Sequence, residues 1–151
     1  MILKGAIPID QVFIPAFLKP HVEIYSTHLL SNTIRIASFV ALTALEKALK
    51  ADNRDISGLF AIICYVNNDE IAFTRYDDDY PGGYLPLIML TTHRWRFDDS
   101  EQERITAIVL EELIHCFYSI RDEIAVKHKV SQVAALVGIS ISWPHLSPPE
   151  T

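Results

Sequence analysis

"IVLEELIHCFYSIRDE" (residues 108–123) reads as helix, and it sets two glutamates and a histidine into the most apolar helix-like run of the chain. An α-helix turns about 100° per residue. With Glu111 at zero, His115 falls at about 40°, Glu112 at about 100° and Tyr118 at about 340°. Leu110, Leu113, Ile114, Phe117 and Ile120 take the opposite arc. The helix therefore has a broad apolar back and one polar cluster, to which Asp122 returns at about 20° if a further turn follows. A carboxyl buried without a partner is costly, so this cluster requires a cation, a hydrogen bond or water beside it.

Working outward, "DDSEQER" (98–104) precedes that helix, and Ser100 with Glu103 three residues later has the spacing of a capping box. The helix is expected to run to about Ile120. A further helix is expected from Val126 to about Val137, ended by Gly138. Upstream, "SNTIRIASFVALTALEKALKAD" (31–52) predicts a helix with Ser31 as N-cap and Ile36, Phe39, Val40, Leu42, Leu45 and Leu49 as its apolar side. "LFAIICYVN" (59–67) is continuously apolar and predicts a central strand. "EIAFTRYD" (70–77) alternates and predicts its hairpin partner. "YLPLIMLTTHRW" (84–95) predicts a third strand, placed at an edge by Pro86. Residues 1–30, broken by Pro8, Pro15 and Pro20, are expected to be extended or irregular chain wrapped on the surface, and 140–151 a tail in which Trp143 packs. The expected class is α+β in a single domain over residues 1–151: an N-terminal helix, a small antiparallel or mixed sheet with an edge strand (read here as an antiparallel meander), then two helices.

Composition narrows the function. Half of the 151 residues are hydrophobic and 21% are charged, which suits a packed core rather than a disordered chain. No apolar run reaches the roughly 18–20 residues of a membrane span. The N-terminal stretch has no secretory pattern, so the expectation is a cytoplasmic chain without membrane partners. The net charge of −6 with scattered Lys and Arg excludes a non-specific nucleic-acid surface. Cys64 and Cys116 sit in apolar stretches and read as buried free thiols. Asp77, Asp78 and Asp79 lack the spacing of a calcium loop and read as a solvated turn.

Two ligands four residues apart on a helix rise from one face and can share a metal ion, while the residue after the first can take a proton from a metal-bound water. That is the logic of His-Glu-x-x-His, and here the stretch is Glu111-Glu112-Leu113-Ile114-His115. Over roughly residues 33–130, the order of helix, strand pair, edge strand "LPLIMLT", loop "DDSEQER" and helix "ITAIVLEELIHCF" resembles the zincin-like metallopeptidases. The resemblance implies a zincin-like fold. It gives Glu112 the general base's place and His115 that of the second metal ligand, with Glu111 standing where the family has its first histidine. It also implies that the stretch around Leu85–Leu90 lines a substrate cleft. For the third ligand, His128 lies thirteen residues after His115, the distance used in one branch of that family, and Asp122 and Glu123 are its rivals.

Two functions follow as expectations. One is a zinc-dependent metallopeptidase-like hydrolase, with Glu112 catalytic, Glu111, His115 and His128 (or Asp122) on zinc, and a peptide or protein as substrate. The other is a metal-free, degenerate zincin-like domain that acts as a protein-binding module.

Overall fold

The computed structural model describes residues 2–67, 72–74, 87–92, 99–141 and 143. Among them the fold is α+β: three α-helices, a four-stranded mixed sheet and a separate two-stranded pair. In chain order the elements are β1 (Ile2–Lys4), β2 (Ile7–Pro8), β3 (Val22–Ser26), α1 (Asn32–Ala51), β4 (Ala61–Val66), β5 (Ala72–Thr74), β6 (Leu87–Thr91), α2 (Asp99–Tyr118) and α3 (Glu123–Ala135).

The sheet runs β2-β3-β4-β6. β4 lies parallel to β3 on one side, with Ile24 opposite Ile63, and parallel to β6 on the other, with Ile63 opposite Ile88. All six β4 residues are buried, as its unbroken apolar run requires of a strand covered on both faces. Ala61, Ile63 and Tyr65 join the helix-covered core, while Ile62, Cys64 and Val66 form a second cluster with Ala6, Tyr25, Phe60 and Leu87.

Three expectations are corrected here. The hairpin after β4 does not form: Ala72–Thr74 pairs antiparallel with Ile2–Lys4, and both flanks of β4 are taken in parallel, so the sheet centre is not an antiparallel meander. The N-terminal stretch is more than an extended or irregular wrap, since parts of it are paired into sheets as β1, β2 and β3. Its prolines sit where they cost little, Pro8 in the outermost strand β2 and Pro20 in a 3-10 turn (Lys19–His21) that leads into β3. The apolar side of α1 is also rotated. Ala37, Ala41, Ala44 and Ala48 form a buried seam with Leu42, Leu45 and Leu49, and α2 packs against this helix. Ile36 and Phe39 face outward, where Phe39 meets the Phe13 ring edge-on at 5.8 Å.

Other expectations hold. Ser31 caps α1, accepting from the Ile34 N–H at 3.2 Å. β6 is an edge strand among the described residues. Leu110, Leu113, Ile114 and Phe117 of α2 are fully buried. α2 begins at Asp99, so Ser100 lies inside its first turn rather than before it. It ends at Tyr118, two residues short of the expected Ile120, at Ser119, whose φ of 55° is left-handed. α3 starts three residues earlier than expected because Asp122 caps it, accepting from the Ala125 N–H at 2.7 Å. Pro86, His93, Trp95, Asp77–Asp79 and most of the tail lie outside the described residues. No helix among the described residues is long and apolar enough to cross a membrane.

Candidate functional site

The polar notch of α2 opens onto a cleft of about 770 Å³, walled by Leu87 and Ile88 of β6, Phe60 before β4, and Glu112, His115 and Cys116 of α2. The parallel pairing of β4 with β6 carries the edge strand alongside α2, and the turn after α2 carries the start of α3 back over it.

His115 is fixed at one ring nitrogen. Its Nδ1 lies 2.5 Å from the backbone oxygen of Ile120. A carbonyl can only accept, so Nδ1 carries the proton and Nε2 is directed elsewhere. Nε2 stands 3.6 Å from Glu123 Oε1. Glu111, His115 and Glu123 each offer a ligand atom, all within 4.8 Å of one another. Two ligands of one tetrahedral zinc ion lie roughly 3.4 Å apart, so the His115–Glu123 pair already has that span.

Of the rivals for third ligand, Glu123 is the one brought to this group. Asp122 is used as the cap of α3. His128 is half-buried one residue past Lys127, so its side chain leaves α3 about 100° away from the face that Glu123 and Lys127 share. Tyr118 turns from the cluster to Asp52, donating its hydroxyl at 2.6 Å.

Glu112 lies beside the group in the cleft wall and makes no hydrogen bond or ion pair among the described residues. Burial pushes its carboxyl above the ordinary range, the neighbouring carboxylates of Glu111 and Glu123 add to this, and His115 and Lys127 oppose it. Cys116 donates weakly to the Phe60 carbonyl at 3.6 Å. Both cysteines are free, Cys64 buried and Cys116 half-buried.

Sequence reasoning passed over Lys127. Its ammonium lies 3.1 Å from Glu111 Oε1 and 3.5 Å from Glu123 Oε2, on two of the three potential ligands. Burial alone would lower its pKa, but the Glu111 hydrogen bond and the two carboxylate charges outweigh burial, so the net direction is up and the group stays charged. The Glu123-x-x-x-Lys127 spacing, one helical turn, was the available sign. The donor types here suit a divalent ion; the charge arrangement does not. An ammonium about 4 Å from a divalent ion repels it by about 2 kcal/mol in water and about 8 kcal/mol at an effective dielectric constant of about 20.

No protein-family model, curated protein or solved structure matches the chain.

Proposed function

We propose that this chain is a zincin-like binding module that holds an extended polypeptide segment in the cleft between β6 and α2. The observation that carries this reading is the placement of a sheet edge against a half-polar helix across a cleft of polypeptide size. Among the described residues the outer side of β6 pairs with no strand, and such an edge can take an added strand through its own N–H and C=O groups. Leu87 and Ile88 offer apolar contact, and Glu112 and His115 offer polar groups that fix orientation. A second reading, peptide hydrolysis with zinc and Glu112, is favoured by one observation. His115 holds Nδ1–H on a backbone carbonyl and presents Nε2 to the carboxylates, the orientation of a metal-bound imidazole.

The test is an NMR titration of the labelled chain with reduced, carboxymethylated α-lactalbumin, an unfolded polypeptide. Binding at the cleft should shift Leu87, Ile88, Glu112 and His115 and leave the outer face of α1 at Ile36 and Phe39 unmoved. Shifts confined to the α1 face, or none at millimolar probe, would refute the reading. Cleavage of the probe would support the second one.

A further inference from the structure

We infer that Lys127 is the resident cation of the Glu111–His115–Glu123 cluster, and that the chain holds there a latent divalent-metal site that opens only when this ammonium is removed. The inference does not rest on polypeptide binding, and its test contains no polypeptide.

The lysine is held from several sides. In front are Glu111 at 3.1 Å and Glu123 at 3.5 Å. Over the indole of Trp143, its Nζ lies 5.4 Å from the ring centroid. That indole is itself pinned, since Trp143 Nε1–H donates to Ser131 Oγ at 3.1 Å, and the Ser131 hydroxyl donates to the Lys127 carbonyl at 3.2 Å. A long side chain between two carboxylates and an aromatic face loses much of its freedom to swing into solvent. Only 27% of it is exposed, against 69% for Glu123, which bridges the lysine and the histidine through its two oxygens.

Charge shows why a lysine suffices. Glu111 and Glu123 bring two negative charges, and Lys127 returns one. His115 Nε2 faces Glu123 at 3.6 Å and completes the cluster. A divalent ion added to this set would meet a fixed ammonium on two of its three ligands. The same pairing explains the identity of residue 111. A histidine there could bind a metal but could not neutralise Lys127, whereas a glutamate does so at 3.1 Å. Glu111 and Lys127 together stand where a ligand and its ion would be.

The test is metal binding itself. Zinc is titrated calorimetrically into the wild-type chain and into Lys127→Met and Lys127→Gln, which keep the stem over Trp143 and lose the charge. Cobalt(II) then replaces zinc, so that its visible absorption reports coordination. The wild type should take up no stoichiometric metal. Each variant should bind one ion with an affinity gain of roughly thirtyfold or more, the lower bound set by the water-like repulsion. Adding His115→Ala should remove the ion again. Equal affinity in wild type and variants, or folded variants that bind no metal, overturns the inference. Should neither variant fold, the wild type alone decides: the His115 Nε2 nitrogen resonance should not move when zinc is added, and a coordination shift there overturns the inference.

Discussion

Replacing Asp52 should loosen the corner that carries α3 over the cleft. Asp52 caps the C-terminal end of α1, and its Oδ2 accepts from Tyr118 at 2.6 Å and from Lys129 at 3.1 Å. The Lys129 ammonium also lies 4.5 Å from the Tyr118 ring centroid, and Arg54 lies 5.2 Å from it. Arg54 Nε–H in turn donates to the Phe117 carbonyl, an end group of α2, at 2.6 Å. One carboxylate thus ties three helices. Two charge-assisted bonds in a buried setting would contribute several kcal/mol, but the Asp52 side chain is 44% exposed, and solvent screening cuts this to about 1.5 kcal/mol in all. For a chain of this size Asp52→Ala should lower Tm by about 3–6 °C. Tyr118→Phe, which removes the hydroxyl and keeps the ring, should cost about 1 kcal/mol, with about 0.5–1 kcal/mol of coupling in the double variant.

The pH dependence has a definite sign. Asp52 is held below the ordinary carboxyl range, first by the Tyr118 hydrogen bond and then by that of Lys129. A carboxyl depressed in the folded state contributes fully above its unfolded pKa of about 3.9, and the contribution fades as pH falls through the folded value. In urea unfolding followed by circular dichroism, the stability gap between wild type and Asp52→Asn should be flat from neutral pH to about 5 and close below about 4. A gap under about 0.3 kcal/mol at pH 7, or one that widens in acid, would refute the assignment of this corner to Asp52.

Two further outcomes are expected. Burial pushes the Cys64 and Cys116 thiols up to about 11, so neither should react readily with Ellman's reagent at pH 8 until denaturant is added; fast reaction of the native chain would contradict the packing of Cys116 on the Phe60 carbonyl. Ser119 adopts a left-handed φ of 55°, so Ser119→Val should cost about 1–2 kcal/mol in thermal unfolding while Ser119→Gly stays within about 0.5 kcal/mol of wild type.

Where local chemistry decides structure, the sequence was legible. Ser31 announces α1, the run Ala61–Val66 announces a fully covered strand, and the apolar arc of α2 is the arc that is buried. What it hid were choices made by distant partners. β3 follows closely on Pro20 at the end of a proline-punctuated stretch, and its pairing with β2 and β4 makes it a strand. The alternation of residues 70–77 is genuine, but three of them pair with Ile2–Lys4 because β4 has no free side. At the site, Glu111, Glu112 and His115 were readable from helical phase alone. The third partner depended on where α3 begins, and Asp122, read as a possible ligand, fixes that start by capping. The cap turns Glu123 and Lys127 toward α2 and His128 away, a rotation that no spacing count contains.

The central position of β4 also bears on handling. Its six residues, Ala-Ile-Ile-Cys-Tyr-Val, hold no charge and no proline, and they stay harmless because β3 and β6 occupy both of its hydrogen-bonding flanks. A preparation clipped by a protease ahead of Asn32 would lose β3 and turn that sticky segment into a bare margin. Such a margin recruits copies of itself, and the clipped material should leave solution as fibrous or amorphous precipitate while the intact chain stays clear.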